Sequence, residues 1–346
     1  MGAAGHGRTP VTSALTLAVV VAAGVGGSPE HRERFTGWAS ALCEALTAAP
    51  APPTVRLVVE RPEEAPPSAP RPCAPRGRST RDELEAQLVA AGGDIAEGGG
   101  LLVVLIGHGS GGPRPRFNLP GPDLSPENLR DILARATAAP VTVAHLGSAA
   151  GAFVPALSGP GRVILAATRA RETNETRFPE HFVAAFVGGE ADRNRDGNLS
   201  ALEAFVYARD AVERDFDRDG LLRTEHAVLD DNGDGVGSGD PKTEAGTDGV
   251  LASRTPLLAT TEQSVLAAGE EDAAIRSLLA RREELAARVD ELRNVRGAIP
   301  EGAYFAELET LLLEIAGITE EIARLRGESD PPAKTPGGAQ GRSGPA

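Results

Sequence analysis

The chain has 346 residues and a formal net charge of −14, with 35 basic residues against 49 acidic ones. Nucleic-acid binding needs a basic face for phosphate, so this charge argues against that class. The 41% of hydrophobic residues suffice for one large or two modest domains. The charge is uneven, because residues 190–240 hold 14 acidic and six basic residues, a local −8.

The first element is the apolar run from Ala14 to Val25. One interpretation is a signal peptide cleaved after the AAG triplet, and the other is a buried first strand. We favour the strand, since LAVVV is β-branched and ends in glycines before a helical pattern. The run is too short to span a membrane. A cytoplasmic location is favoured, and export follows if residues 1–25 act as a signal peptide.

Apolar strands then alternate with amphipathic helices, which predicts a doubly wound, mostly parallel α/β sheet over residues 12–187 with helices on both faces. Reactive groups are expected just past the C-terminal ends of its strands. His145, inside one strand, is expected to be a core histidine. The predicted strands are Leu17–Ala22, Val55–Val59, Leu101–Ile106, Val141–Leu146 and Arg162–Ala167, and the predicted helices are His31–Thr47, Thr80–Ala91, Pro126–Ala136 and Pro179–Val187.

The chain has two cysteines. Cys43 lies in a helical pattern and Cys73 in the Pro-rich loop Pro62–Gly77, which is predicted to be mobile. Two thiols are not a disulfide framework. A single bridge stays open as the alternative, but we expect two unpaired thiols.

A helical region is predicted over residues 262–327, after the acidic segment. Apolar residues follow heptad spacing on both sides of a break at residues 297–300, which predicts an antiparallel coiled-coil hairpin that could bind a protein partner. Two helices packed on the α/β domain are the alternative. Residues 328–346 are predicted to be disordered. The seam residues are Ile275, Leu278, Leu285, Val289 and Leu292, then Leu308, Leu311, Ile315, Ile318, Ile322 and Leu325.

The strongest chemical signal lies in the acidic region, residues 188–245. Residues 192–203 fit the twelve-residue calcium loop of the EF-hand family, with Gly197 at the sixth position, where the chain turns sharply. Asn198 would offer its backbone carbonyl and Glu203 both carboxylate oxygens. A solvated acidic turn is the alternative. Calcium is the only cofactor predicted, and its ligands are Asp192, Asn194, Asp196, Asn198, Ser200 and Glu203.

Two weaker acidic loops follow in the same region. The first has His226 at its twelfth position, with Glu225 one residue early, and the second has no acidic twelfth residue. Each is either an irregular calcium site or a degenerate one. Their candidate ligands are Asp215, Asp217 and Asp219 in the first, and Asp230, Asn232 and Asp234 in the second.

Two neighbouring predicted strands end in short polar motifs, GHGS at residues 107–110 and GSAAG at residues 147–151. With the phrases FNLPGPDL and VPALSGPGRVILAATR, residues 15–245 resemble the caspase and legumain group of cysteine peptidases, in its bacterial legumain-like branch. The resemblance implies a catalytic dyad in which His108 is the base. It also implies that a Cys should stand at position 148, within Cys-x-Ser-Gly.

Here Ser148 replaces that thiol, and Ala150 replaces the family's serine. A thiol becomes a thiolate readily beside a histidine, whereas a serine needs a well-oriented base and an oxyanion hole. Three interpretations follow: a catalytically inactive, calcium-binding pseudopeptidase that binds or scaffolds a partner, a serine hydrolase using Ser148 and His108, or an unrelated α/β domain. We favour the first.

Overall fold

The apolar segments form one seven-stranded sheet in this computed structural model. The structure describes residues 17–64, 71–96, 98–244, 246–259 and 300–326, and also residues 277, 278, 281, 282, 285, 288, 289 and 292. Two compact units divide the chain after residue 270, and the sheet lies in the first unit.

The predicted α/β sheet is confirmed. The five predicted strands correspond to β1, β2, β4, β7 and β8, and their bounds differ from the prediction by about one residue. The strands are β1 (Leu17–Ala23), β2 (Thr54–Val59), β3 (Gly77–Arg78), β4 (Gly100–Ile106), β5 (Gly109–Ser110), β6 (Arg116–Phe117), β7 (Val141–His145), β8 (Arg162–Ala166), β9 (Asn198–Ser200), β10 (Val228–Asp230) and β11 (Pro256–Ala259).

The sheet has the order β10-β8-β7-β4-β1-β2-β3. All of its neighbouring strands are parallel except β10, which runs antiparallel to β8. Parallel strands need crossover helices, and these cover both faces. The remaining strands form two small antiparallel pairs, β5 with β6 and β9 with β11.

Helices pack on both faces, so the sheet is doubly wound. Val19 and Val21 of β1 belong to the apolar layer under α1, α5 and α6, whereas Ala18 and Val20 belong to the layer under α2 and α3. The alternation follows from the two-residue period of a strand. The helices are α1 (Pro29–Thr47), α2 (Arg81–Asp94), α3 (Pro126–Ala136), α4 (Val154–Leu157), α5 (Phe178–Ala184), α6 (Ala201–Asp219), α7 (Val250–Ser253) and α8 (Glu301–Arg326).

The first apolar run forms β1, an interior strand of the sheet. β1 pairs with β2 on one side and with β4 on the other, and no residue of it is more than 7% exposed. Cleavage after the AAG triplet would therefore remove the strand that joins the two halves of the sheet.

Cys43 and Cys73 form a disulfide, so the prediction of two unpaired thiols is wrong. Cys43 lies on the buried face of α1, and a 3₁₀ turn at Arg71–Cys73 brings the two Cα atoms to 5.7 Å. Both cysteines are buried. The Pro-rich loop is thus fastened to α1 at its C-terminal end, while its residues 65–70 lie outside the described residues.

In the second unit, α8 confirms the later of the two predicted C-terminal helices. Its Tyr304 and Leu311 form a buried cluster with Leu285, Val289 and Leu292, and the described residues between 277 and 292 are helical. The hairpin as a whole stays a prediction, because Ile275 and the break at residues 297–299 lie outside the described residues, as does the predicted tail. Among the described helices, none has the length and apolar character that a membrane crossing needs.

Candidate functional site

The first acidic loop joins α5 to α6, and its oxygen-bearing side chains turn into the loop. Asp192 Oδ2 accepts a hydrogen bond from the Gly197 amide at 2.9 Å. Asn194 Oδ1 accepts one from the Asp196 amide at 2.9 Å, and Asp196 Oδ1 accepts one from the Asn198 amide at 2.8 Å. Gly197 has φ +82°, a left-handed conformation that glycine adopts without strain.

Glu203 closes this loop from the first turn of α6. Its Oε1 accepts hydrogen bonds from the amides of Arg193 and Asn194 at 3.1 and 3.2 Å. Its Oε2 accepts from both the amide and the hydroxyl of Ser200, whose own Oγ caps the helix. Glu203 is only 9% exposed, so the carboxylate at the predicted twelfth position lies over the start of the loop.

A short sheet fixes the second half of the loop. β9, which contains predicted ligand positions Asn198 and Ser200, pairs antiparallel with β11. Leu199, which lies between Asn198 and Ser200 in β9, belongs to the apolar core and is fully buried. The hydrophobic core therefore holds the backbone from which Asn198 and Ser200 extend.

The donor set of this loop fits a hard divalent cation. It offers three carboxylates, one amide oxygen, one hydroxyl and one backbone carbonyl, and calcium takes six to eight oxygen ligands. Within the described residues, no three His, Cys, Asp or Glu side chains stand ready to hold a metal. The loop carboxylates instead accept hydrogen bonds from backbone amides. A bound cation would take the place of some of these hydrogen bonds.

The second acidic segment is helical rather than a loop, which favours the degenerate alternative over a calcium site for Asp215, Asp217 and Asp219. All three residues continue α6, which ends only at Gly220. Asp215 pairs with His181 at 2.7 Å, and Asp219 pairs with Arg177 at 2.7 Å. The buried faces of Val212 and Phe216 hold this turn as helix, and a helix cannot wrap three side chains around one cation.

The third acidic segment is a loop. Asp230 is the last residue of β10, and Asn232 and Asp234 follow it with alternating hydrogen bonds like those of the first loop. Pro241 occupies the twelfth position, so spacing alone offers no closing carboxylate there.

The two dyad positions lie at the same edge of the sheet. β4 and β7 are adjacent and parallel, so the motifs that follow them meet. Glycines allow the close approach: a Cβ on Gly147 would lie 2.1 Å from the Gly107 carbonyl oxygen, and one on Gly109 would lie 2.4 Å from that of Ser148. The predicted placement of His108 and Ser148 at neighbouring strand ends is confirmed.

The contacts of His108 are made with α1. Its ring lies edge-on to the rings of His31 and Phe35, with both centroid distances at 4.8 Å. Burial lowers the pKa of His108, the nearby His31 lowers it further, and the charge of Glu175 opposes them. No hydrogen bond joins His108 to Ser148 in the described part of the chain, and Ser148 is only 4% exposed.

The amides around Ser148 are largely engaged. The Ala149 amide donates to the Glu172 carbonyl at 3.0 Å, and the Gly147 amide donates to His145 Nδ1 at 3.3 Å. An oxyanion hole needs amides that point at the substrate. Two of the three amides at residues 147–149 are therefore already used within the protein.

His145 is a core residue, as predicted. It is fully buried and lies edge-on to Phe117 and Phe153, with ring centroids 5.3 and 4.6 Å away. Its Nδ1 is paired, whereas Nε2 has no hydrogen-bond partner among the described residues. Burial lowers the pKa of His145 to about 3, so the ring is neutral at physiological pH.

Sequence reasoning missed His31 and Glu175 at this edge. His31 Nδ1 lies 2.9 Å from Ser28 Oγ, and its Nε2 lies 3.3 Å from Glu175 Oε2. Glu175 also pairs with Arg34. The position of His31 could have been inferred, because it lies in the first turn of α1, directly after the C-terminal end of β1 at the same edge. The position of Glu175 could not, because it lies in a loop that is distant in sequence.

A cavity of about 320 Å³ lies beside α5 and α6, lined by the side chains of Arg169, Arg209, Glu225 and His226 among others. Glu225 accepts hydrogen bonds from the amides of Arg177 and Phe178 at 2.8 and 2.9 Å. Burial nevertheless raises its pKa to about 7. This carboxylate caps α5 and titrates near neutral pH.

Comparison with known proteins adds no assignment. No protein-family model matches the chain, and no curated protein matches it significantly. The resemblance to caspases and legumains therefore stays a prediction from the sequence motifs, with which the mostly parallel α/β sheet is compatible.

Proposed function

We propose that the protein binds calcium through residues 192–203, and that its α/β domain is a caspase- or legumain-like pseudopeptidase that binds or scaffolds a partner. One observation carries the calcium half: Glu203 lies buried across the start of a loop whose alternate oxygen side chains turn inward. That is the arrangement in which six oxygens can surround one cation.

The charge of the region supports the same proposal. The acidic surplus of residues 190–240 repels itself, and the repulsion is reduced when a divalent cation binds. A cation that binds the folded loop and not the unfolded chain raises the stability of the folded state. Calcium should therefore stabilise this protein.

Thermal unfolding with calcium, with magnesium and with a chelator tests this effect. Calcium should raise Tm by several degrees, since about 1 kcal/mol shifts Tm by a few degrees in a domain of this size. E203Q, which keeps the side-chain volume and an oxygen acceptor, should lose most of the shift. E213Q is the matched control, because Glu213 lies on the same helix with a half-exposed side chain outside the loop.

The inactive-peptidase half is supported by the sheet edge. Ser148 stands where the resemblance requires a thiol, it makes no hydrogen bond to His108 among the described residues, and the Ala149 amide is already engaged. Glu175 is the carboxylate whose charge acts on His108. Its ion pairs, however, are with His31 and Arg34. An activated serine needs all of these groups arranged differently.

A serine hydrolase is the second candidate, and one observation favours it. Ala149, directly after Ser148, has φ +58°, a strained left-handed conformation that is rare outside glycine and that clusters at functional sites. Hydrolysis that depends on Ser148 would establish this alternative, and its test is given in the Discussion.

A partner surface is proposed on the predicted C-terminal hairpin. Arg281 pairs with Glu314 at 3.0 Å, and Arg288 pairs with Glu307 at 3.9 Å. A later residue in the first segment thus pairs with an earlier residue in α8, as in an antiparallel pair of helices. α8 also exposes the large apolar residue Leu313, which is 67% exposed. Affinity capture on the immobilised full chain, with calcium and with chelator, tests for a calcium-dependent partner.

A further inference from the structure

The loop after β10 repeats the hydrogen bonds of the first acidic loop. Asn232 Oδ1 accepts from the Asp234 amide at 2.9 Å, and Asp234 Oδ1 accepts from the Val236 amide at 2.7 Å. The two equivalent bonds in the first loop measure 2.9 and 2.8 Å. Gly235 at the sixth position has φ +76°, close to the +82° of Gly197.

The repetition extends to a carboxylate that sequence spacing does not reveal. Asp248 Oδ1 accepts from the amides of Asp231 and Asn232 at 3.1 and 3.4 Å. Those are the second and third amides of the loop, and in the first loop the same two amides donate to Glu203 Oε1. Asp248 therefore occupies the place of Glu203, although it lies beyond Pro241, the formal twelfth position.

The intervening chain is folded so that Asp248 returns to the loop. The Lys242 amide donates to the Asp248 backbone carbonyl at 2.6 Å, which joins the two ends of the segment between them. Asp231 fastens the following residues, since its two carboxylate oxygens accept from the amides of Gly249 and Ala252 at 2.8 and 2.6 Å. Both carboxylate oxygens of Asp231 are therefore directed to the start of α7, and Asp248 is the carboxylate that lies across the loop.

A separate observation indicates that the loop is built for a ligand. Asp230, at the first position, is fully buried. Its Oδ1 accepts from Ser158 Oγ at 3.0 Å, while its Oδ2 is buried and has no hydrogen-bond partner among the described residues. A buried carboxylate oxygen without a partner is costly, and a cation is the partner that lowers this cost most.

The carboxyl group of Asp230 faces the loop. The carboxylate of Asp234 and the backbone amides of Gly233 and Gly235 lie near this carboxyl group. Asp234 and both glycines belong to the turn that surrounds the expected ligand. The unpartnered oxygen and the alternating loop side chains thus belong to one site.

We infer that Asp230, Asn232, Asp234 and Asp248 form a second site for a hard divalent cation, calcium, in which Asp248 closes an elongated loop. The inference extends the proposed calcium binding to a second loop, and it depends on different side chains. Three carboxylates and one amide oxygen, completed by backbone carbonyl or water oxygens, suit a calcium ion.

The test counts calcium ions on the intact chain by native mass spectrometry and measures their affinities by competition with a chelator. The wild-type chain should bind two ions. D248N and D234N should each weaken one of them by at least about tenfold, because each removes a ligand charge. D248N keeps an oxygen that can accept from the Asp231 and Asn232 amides, and circular dichroism of each variant checks the fold.

D240N is the matched control. Asp240 is the acidic residue closest to the formal twelfth position, and it pairs only at a distance of 3.5 Å with Arg209 while its side chain is 79% exposed. D240N should bind both ions with unchanged affinity. A loss in D240N with none in D248N would overturn the inference in favour of simple spacing.

The remaining outcomes separate the two calcium proposals. If the wild type binds one ion and E203Q removes it, the second site is refuted and the first stands. If D248N and D234N remove the only ion while E203Q has no effect, the second site stands and the first is refuted. If the wild type binds none, both are refuted.

Discussion

The edge of the sheet and the first acidic loop both hold polar side chains at the ends of regular elements, but they surround them differently. At the sheet edge, His145 lies among aromatic rings and Ser148 is nearly inaccessible. In the acidic loop, oxygen atoms surround a turn of backbone that Gly197 makes possible. The first setting is apolar and closed, and the second is rich in hard ligands.

The difference teaches that position in the fold does not determine what a polar group does. A strand end places a side chain at the edge of a parallel sheet, yet its neighbours decide which charge it tolerates. The stability of the sheet edge should depend on pH, because the buried His145 ring is protonated much less readily in the folded chain than in the unfolded chain. The acidic loop should respond to calcium.

The largest expected effect is acid sensitivity from His145. The unfolded chain binds a proton at this histidine below about pH 6.5, whereas the folded chain does so only near pH 3. The unfolded state therefore binds more protons in this window, and stability falls as the pH falls. In the wild type this costs about 1.4 kcal/mol of unfolding free energy per pH unit, roughly 4 kcal/mol between pH 6.5 and 3.5, and H145L should remove that loss.

The measurement is urea unfolding of wild type and H145L between pH 6.5 and 3.5, compared as a difference. Glu225 has the opposite sign, because its folded pKa of about 7 exceeds the usual 4.5, and it adds stability as the pH falls through that range. Both chains carry Glu225, so its effect cancels. Parallel pH profiles would show that His145 is protonated in the folded state.

The next largest effect is expected from the disulfide, which anchors α1 and so supports the cover that His31 and Phe35 place over His108. Reduction of Cys43–Cys73 frees a loop spanning 30 residues and should lower the free energy of unfolding by roughly 3.5 kcal/mol. The matched variant C43S/C73S should unfold like the reduced protein.

The disulfide experiment also measures calcium affinity, as a property that loss of the bridge should not change. The first acidic loop lies outside the segment that the disulfide closes, so calcium affinity should be unchanged in the folded C43S/C73S protein. Equal stability of the oxidised and reduced chains, with a thiol assay confirming reduction, would show that the bridge does not constrain the fold.

The smallest expected effect is that of S148A on hydrolysis, which should be none. The wild-type chain should not turn over peptide or ester substrates above background, and S148A should match it, because Ser148 makes no hydrogen bond to His108 among the described residues. S158A, which changes a half-buried serine between α4 and β8, serves as control. Turnover that disappears in S148A and persists in S158A would establish the serine hydrolase.

The sheet could be predicted from the sequence because local patterns determine it. The β-branched runs of β1, β2, β4, β7 and β8 and the intervening amphipathic helices carry their own periodicity. The first acidic loop could equally be predicted from the sequence, since all of its candidate ligands lie within residues 192–203. His108 and Ser148 were placed correctly because parallel strands end at one edge.

The remaining features depend on tertiary contacts. The Cys43–Cys73 pairing requires the turn at Arg71–Cys73 to fold onto α1. The acidic spacing at Asp215 is overridden by the helical burial of Phe216. Asp248 reaches its loop through contacts made by Asp231, which no spacing rule describes.

Isothermal titration with calcium, on wild type and on E203Q, tests the central claim most directly. The wild-type chain should release or absorb heat with a saturable isotherm, and E203Q should lose one binding event or bind there at least about tenfold more weakly, since calcium affinity follows ligand charge. E213Q should match the wild type. Isotherms that are the same for wild type and E203Q would contradict a calcium site at residues 192–203.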